Sequence, residues 1–212
     1  MPRANRKSPS VAILAKAPLP GLVKTRLVSV LGASGAATLQ AELIRHTVET
    51  ACAASIGPVT LWASPDLMHP IFGALAARFS IALVRQPDGD LGARMLAAVE
   101  AADGALVIGT DCPALTPSHL RAAADAIRRG AEVVLVPAED GGYVLIGLTK
   151  PEPALFTDMS WGTSTVMTET RARIARLGLL VHELPALWDV DRPQDLDRLR
   201  AAGLAHLLAR AQ

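Results

Sequence analysis

Short apolar runs alternate along this chain with longer stretches that are apolar at helical spacing. Residues 11–15 are a continuous apolar run, closed by Lys16 and two prolines. Residues 58–63, 81–85, 105–109, 132–136, 143–148 and 179–184 have the length and apolar content of strands. Between them, residues 35–54, 91–101 and 164–177 show helical character, the last closed by Gly178. Residues 66–78 contain Pro70, which predicts a helix that starts late or is broken. Thr116 followed by Pro117 predicts a capped helix start, and Gly130 its end. A last helix is expected from about Pro193. Strands and helices in this order, with strands apolar on both faces, predict an α/β three-layer sandwich around a mainly parallel sheet.

No internal repeat, low-complexity tract or linker interrupts the pattern. One domain is therefore expected over residues 10–212, preceded by a disordered basic start at residues 1–9 that carries Arg3, Arg6 and Lys7. Half of the 212 residues are hydrophobic, enough for one core. A formal net charge of +1 argues against nucleic acid as the main partner, and 3% aromatic residues argue against a base-stacking platform. Cys52 and Cys112 form no C-x-x-C pattern, so neither structural zinc nor a disulfide framework is expected. The run at 11–15 is too short for a signal-peptide core or a membrane span, which leads to the expectation of a cytoplasmic protein with no membrane span.

In a mainly parallel sheet, ligands bind beyond the carboxyl ends of the strands. The residues there carry the candidate chemistry. After the first strand come Ala15, Lys16, Pro18, Gly21, Lys24, Thr25 and Arg26, a proline-stiffened loop whose cations and backbone suit a pyrophosphate. It is not a Walker A loop, because the glycine positions before Lys24 hold Pro18 and Val23. After the fourth strand comes Gly109-Thr110-Asp111-Cys112-Pro113, where Asp111 is placed to hold a hard cation against phosphates. Cys112 has no neighbouring histidine in sequence and reads as a small packed residue.

Near the end, Trp188-Asp189-Val190-Asp191 places Asp189 and Asp191 on one side of an extended segment. Asp191 also precedes a helix, so capping competes with ligand binding there, and Asp195 and Asp197 are expected on the solvated side of that helix. Asp140-Gly141-Gly142 is an ordinary hairpin signal, followed by Tyr143, the only tyrosine of the chain. Gly89 and Arg94 lie in a loop-to-helix connection that could reach a base or ribose. Trp161 and Thr163 lie on a Gly/Ser/Thr loop that could face a sugar or cover the core edge. No Gly-x-Ser-x-Gly elbow is present, which argues against a serine hydrolase.

These motifs together resemble the nucleotide-diphospho-sugar transferase superfamily, with its GT-A-like fold. Within it they are similar to a bacterial family of small glycosyltransferase-like proteins known by a domain-of-unknown-function label. Its hallmarks are K-x-P-x-x-G-x-x-K-T-R-L, G-(S/T)-D-x-P, D-G-G-Y-x-L-I-G-L and a tryptophan loop, matched here at residues 16–27, 109–113, 140–148 and 161–164. The layout is also similar to phospholactate guanylyltransferases and sugar-acid cytidylyltransferases, whose V-D-T-P-E-D-L segment matches residues 190–196 with Arg192 in place of threonine. The resemblance implies a nucleotide in the crevice, with Lys16, Lys24 and Arg26 on phosphates. It implies Mg²⁺ or Mn²⁺ on Asp111 and Asp191, and Asp140 and Tyr143 beside a small-molecule acceptor, with Asp140 as general base. It implies either glycosyl transfer from a nucleotide sugar or nucleotidyl transfer from an NTP. The glycine-rich opening loop common among the nucleotidyltransferases is replaced here by Ala15-Lys16-Ala17-Pro18.

Overall fold

The computed structural model describes residues 8–209 and 211. The seven strands are β1 (Ser10–Lys16), β2 (Val59–Ser64), β3 (Ala82–Arg85), β4 (Ala105–Ile108), β5 (Val133–Pro137), β6 (Tyr143–Leu148) and β7 (Val181–Glu183). The six α-helices are α1 (Val28–Ala54), α2 (Pro70–Phe79), α3 (Leu91–Glu100), α4 (Pro117–Arg129), α5 (Val166–Leu177) and α6 (Pro193–Ala201). Short 3₁₀ turns at Thr25–Leu27, Pro153–Leu155 and Ala205–Leu208 carry no periodic apolar pattern and have no counterpart in the sequence reading. Of the basic start, residues 1–7 lie outside the described residues. The expected boundary at residue 10 moves back, because Pro9 is buried and its carbonyl lies against Gly57.

One sheet runs β3-β2-β1-β4-β6-β5-β7. Its pairs are parallel except those made by β6, which is antiparallel to β4 and to β5. The β5–β6 connection is the tight Asp140-Gly141 turn, and a register shift at Val136/Pro137 leads into it. After β3 the chain crosses back and lays β4 on the other side of β1. The strand order thus reverses between β1 and β4, and this is where an open α/β sheet forms its crevice.

Alternate residues of β1 serve opposite layers. Val11 and Ile13 pack with Ile44 and Val48 of α1, Phe72 and Leu75 of α2, and Leu120 and Ala123 of α4. Ala12 faces Met95 and Val99 of α3 and Met167 and Ile174 of α5. This is the expected three-layer sandwich. A third cluster, with Leu27, Leu39, Trp188, Val190, Leu199 and Leu208, fastens α6 and the chain end to the first helix.

Helix signals placed most ends correctly. Thr116 and His119 close a capping box on α4, and Gly130 ends it in the left-handed region. Helix α2 starts late, at Pro70, with the His69 side chain accepting from the Ile71 amide. Helix α1 begins earlier than periodicity suggests, with a break at Gly32 (φ 69°). An 18-residue window within Thr25–Ala54 reaches a mean hydropathy of 1.4, so by length and composition this helix could cross a membrane. In this domain Leu39, Leu43, Ile44 and Val48 of that helix are fully buried in the core.

Candidate functional site

A cleft of about 580 Å³ opens at the carboxyl ends of β1 and β4. Leu14 and Lys16 from β1 and Val107 to Cys112 from β4 form its base. The loop from Leu22 to Arg26 makes one wall, Leu91 and Met95 of α3 another, and Asp189 and Asp191 close it. The topology puts these parts together, since the β4 end and the segment before α6 are joined by the Val190 amide donating to the Asp111 carbonyl at 2.8 Å.

The cation loop is fixed by its own side chains. Lys16 donates to the Leu22 carbonyl at 2.8 Å. Gly21 sits at φ +77° with open space where a Cβ would stand, so backbone freedom and not room is what the turn requires. Lys24 is also left-handed (φ 47°), and its side chain is only 3% exposed. Its ammonium lies 2.6 Å from an Asp111 carboxylate oxygen and donates to the Val190 carbonyl at 2.7 Å. Arg26 is paired with Asp191, and Thr25 faces the cleft. Ala15 and Pro18 are buried outside the cleft lining, and Gly21 is exposed outside it. Gln86 donates its amide to the Ala15 carbonyl at 3.1 Å and to the Trp62 carbonyl at 2.8 Å, which stiffens the ends of β1 and β2.

Acidic groups converge opposite these cations. Asp111 is half exposed at the end of β4. Asp189 is half-buried. Burial pushes its carboxyl up to about 7, aided by Asp111, Asp140 and Asp191 and opposed by Lys24. Asp191 does not cap α6. That role falls to Asp195, whose carboxylate accepts from the amides of Asp191 (2.9 Å) and Arg192 (2.7 Å). Asp195 is half-buried over the helix start, where an acceptor three residues in satisfies the open amides, and Asp197 is exposed as expected.

No group of three or more His, Cys, Asp or Glu side chains stands ready for a metal among the described residues. The donors present are carboxylate oxygens, which suit Mg²⁺ or Mn²⁺. Ions of this kind need only one or two carboxylates when phosphates and water complete their shell. The cluster of carboxylates around half-buried Asp189 fits a cation as well. Cys112 is buried, and that burial pushes its thiol up to about 12, with Asp189 adding to the effect, so it is a packed residue in an anionic setting.

The remaining candidates sit at the rim or behind it. Asp140 is exposed and accepts from the Gly142 amide at 3.0 Å, the interaction of an Asx turn. Gly141 is required by packing: a Cβ there would lie 2.2 Å from the Ser164 carbonyl oxygen. Tyr143 lines the cleft, with its hydroxyl 3.7 Å from the Met95 sulfur, and burial raises its pKa. Trp161 meets Tyr143 edge-on (centroids 6.4 Å apart) but lies outside the cleft lining, packed on Gly92. Its indole N–H is buried without a partner. Thr163 bonds the Ser160 carbonyl at 2.8 Å, and Arg94 bonds the Gly89 carbonyl at 3.2 Å. Gly89, Arg94, Trp161 and Thr163 lie outside the lining, as do Asp140, Gly141 and Gly142. Sequence reasoning gave no site role to Asp189, Gln40, Thr110, Leu91 or Met95. Only Asp189 left a signal, the D-x-D alternation. Gln40 reaches the site from α1, donating to the Thr110 hydroxyl at 2.9 Å.

The chain is similar to a Desulfovibrio desulfuricans G20 protein described as a candidate nucleotide-diphospho-sugar transferase. The two share 25% identity and a TM-score of 0.79, over 96% of this chain and 98% of that one. A nucleotidyl transferase from Methanothermobacter shares the fold at 17% identity and a TM-score of 0.61, covering 93% and 98% of the two chains. So does glucosyl-3-phosphoglycerate synthase from Mycobacterium tuberculosis, solved with Mn²⁺, UDP and glucosyl-3-phosphoglycerate. It has 12% identity and a TM-score of 0.53 over 99% of this chain and 82% of that chain. No curated protein matches the sequence. The sheet with its switch point between β1 and β4 is therefore that of the nucleotide-diphospho-sugar transferases. Residues 47–163 match the model of a family described as uncharacterized proteins conserved in bacteria (DUF2064), and the chain belongs to that family.

Proposed function

We propose that the protein is a metal-dependent transferase that binds a nucleoside-diphosphate sugar in this cleft and transfers the sugar to a small-molecule acceptor. One observation carries the reading. Lys16, Lys24 and Arg26 on the loop after β1 share a single cleft with Asp111, Asp189 and Asp191, at the switch point of the sheet. A diphosphate needs cations, and a metal bridging it needs carboxylates. The Desulfovibrio protein's description as a candidate nucleotide-diphospho-sugar transferase supports the same substrate class.

Asp111 and Asp191 would hold Mg²⁺ or Mn²⁺, and half-buried Asp189 would add to the field that attracts it. The ion would stabilise charge on the departing diphosphate. Lys16, Lys24 and Arg26 would orient and neutralise the phosphates, and Leu91 and Met95 would exclude water from the apolar side. Tyr143 would contact the sugar or acceptor. Asp140, at the rim, would accept the acceptor's proton with the oxygen that its turn leaves free. Trp161 and Thr163 would shape the outer wall, and Gly89 and Arg94 the approach to the nucleoside.

Nucleotidyl transfer is the second reading. Its support is Asp191, for which the resemblance to V-D-T-P-E-D-L implies a metal role and which lines the cleft instead of capping α6. Product analysis separates the two. Release of a nucleoside diphosphate from a nucleotide sugar supports glycosyl transfer, and pyrophosphate from an NTP plus acceptor supports nucleotidyl transfer. Binding of either nucleotide without any turnover would contradict both.

A further inference from the structure

The most deeply buried cation of the cleft is already engaged. Lys24 is 3% exposed against 53% for Asp111, and the two groups are 2.6 Å apart. Its left-handed backbone is a conformation that a non-glycine residue keeps only where its surroundings impose it. Here that conformation accompanies an ammonium placed between the Asp111 carboxylate and the Val190 carbonyl. Two residues on, Arg26 is paired with Asp191. Each carboxylate assigned to the metal is thus met by a cation of one short loop.

We propose that this loop is an exchangeable counter-cation. In the ligand-free protein Lys24 holds the divalent-cation position at Asp111. It yields that carboxylate when the metal enters and turns to the diphosphate. The inference rests on the reading of the cleft as a metal-dependent nucleotide site.

The physical case is one of charge accounting. A divalent ion at Asp111 would stand against the Lys24 ammonium, and the repulsion between the two cations weakens the lysine's hold on that carboxylate. Lys24 cannot stay buried without an anion, because an uncompensated buried charge is strongly disfavoured. It therefore needs a replacement anion, and the phosphates supply one. Metal alone must break the ion pair and leave the lysine only the Val190 carbonyl and the neighbouring Asp189. Pyrophosphate alone must break it and leave Asp111 bare. Together they break it once. The two ligands should therefore bind with positive coupling, and linkage makes that coupling reciprocal. Arg26, far more exposed than Lys24, repeats the arrangement at Asp191 with a weaker grip.

The test uses the full chain with two simple probes. Free Mn²⁺ is titrated by electron paramagnetic resonance, and inorganic pyrophosphate by calorimetry in EDTA. Lys24→Met should bind Mn²⁺ alone roughly tenfold tighter than the wild type, since its competitor is gone. Asp111→Asn should bind pyrophosphate in EDTA roughly tenfold tighter, since Lys24 is released. Melting curves establish that the variants are folded. A further measurement needs no variant: the Lys24 ammonium resonance, followed by nitrogen-15 correlation in the wild type, should shift or broaden on adding Mg²⁺ and pyrophosphate. Unchanged affinities in folded variants, or an ammonium signal that both ligands leave in place, would overturn the exchange. If the wild type binds Mn²⁺ and pyrophosphate together while the variants show no gain, only the exchange fails. If the wild type binds neither, alone or together, the nucleotide-site reading fails with it.

Discussion

Trp161 closes directly over Gly92. A Cβ at Gly92 would come 2.9 Å from the indole Nε1 and 2.3 Å from the carbonyl oxygen of Phe156. The carbonyl belongs to the backbone and cannot step aside cheaply. Helix α3 therefore approaches the 156–161 segment as closely as it does because residue 92 has no side chain. The same helix presents Leu91 and Met95 to the cleft. Gly92→Ala is expected to destabilise the fold by about 1–3 kcal/mol through overpacking. At about 2–4 °C per kcal/mol for a chain of this size, a thermal melt would resolve the loss. A melting temperature equal to wild type would show that α3 can move away freely.

Asp140 combines a turn and a proposed chemical role. Its carboxylate accepts from the Gly142 amide, and Asn offers the same acceptor on the same backbone. Asp140→Asn should keep the melting temperature and donor affinity, while turnover falls by about 10²–10⁴-fold if Asp140 is the general base. Wild-type turnover in this variant would leave Asp140 as a turn residue alone.

Asp189 ties stability to pH. Burial and the neighbouring carboxylates raise its folded pKa to about 7 from an ordinary 3.8. An acid with a raised folded pKa holds its proton more tightly when folded. Its contribution is fully present below the unfolded value and is lost as pH rises through the folded one. In EDTA, the Asp189 contribution should therefore weaken between about pH 4 and pH 7 and stay flat above. Asp189→Asn should remove that component and be the more stable protein at pH 8. Denaturant melts at several pH values decide it, and a variant with the wild-type pH slope would refute it.

Cys112 should be chemically silent despite following Asp111. Its thiol is buried and pushed up to about 12. Alkylation of the native protein at pH 8 should reach the half-buried Cys52 first and label Cys112 only with unfolding. Rapid native labelling of Cys112 would contradict its buried placement.

Much of the fold was legible because local chemistry dictates it. The buried strands are continuous apolar runs, and Thr116, Pro117 and Gly130 bound α4 by capping alone. The antiparallel insertion of β6 between β4 and β5 was not legible as a strand order. The Asp140-Gly141 turn announces a hairpin, but which neighbour β6 meets on its other side is a tertiary outcome. The start of α1 was hidden by Gly32, which breaks the periodicity before Gly35. In the site, Lys16, Lys24, Arg26 and Asp111 stood out because they lie at the end of β1 or on the loops after β1 and β4. The Lys24–Asp111 pair and the burial of Asp189 depend on segments 87 and 165 residues distant in sequence from Lys24 meeting at one edge, which no local pattern records. Trp161 was open to two roles, and its contact with Gly92 of α3 decides where it packs.

On the proposed reading the cleft binds a diphosphate through a metal held at Asp111. The most direct test is the calorimetric affinity of UDP, GDP and CDP for the wild type and Asp111→Asn, each in Mn²⁺ and in EDTA. The account expects at least one diphosphate to bind the wild type roughly tenfold or more tightly in Mn²⁺ than in EDTA, with Asp111→Asn folded and indifferent to Mn²⁺. Equal wild-type affinity with and without the metal would contradict it.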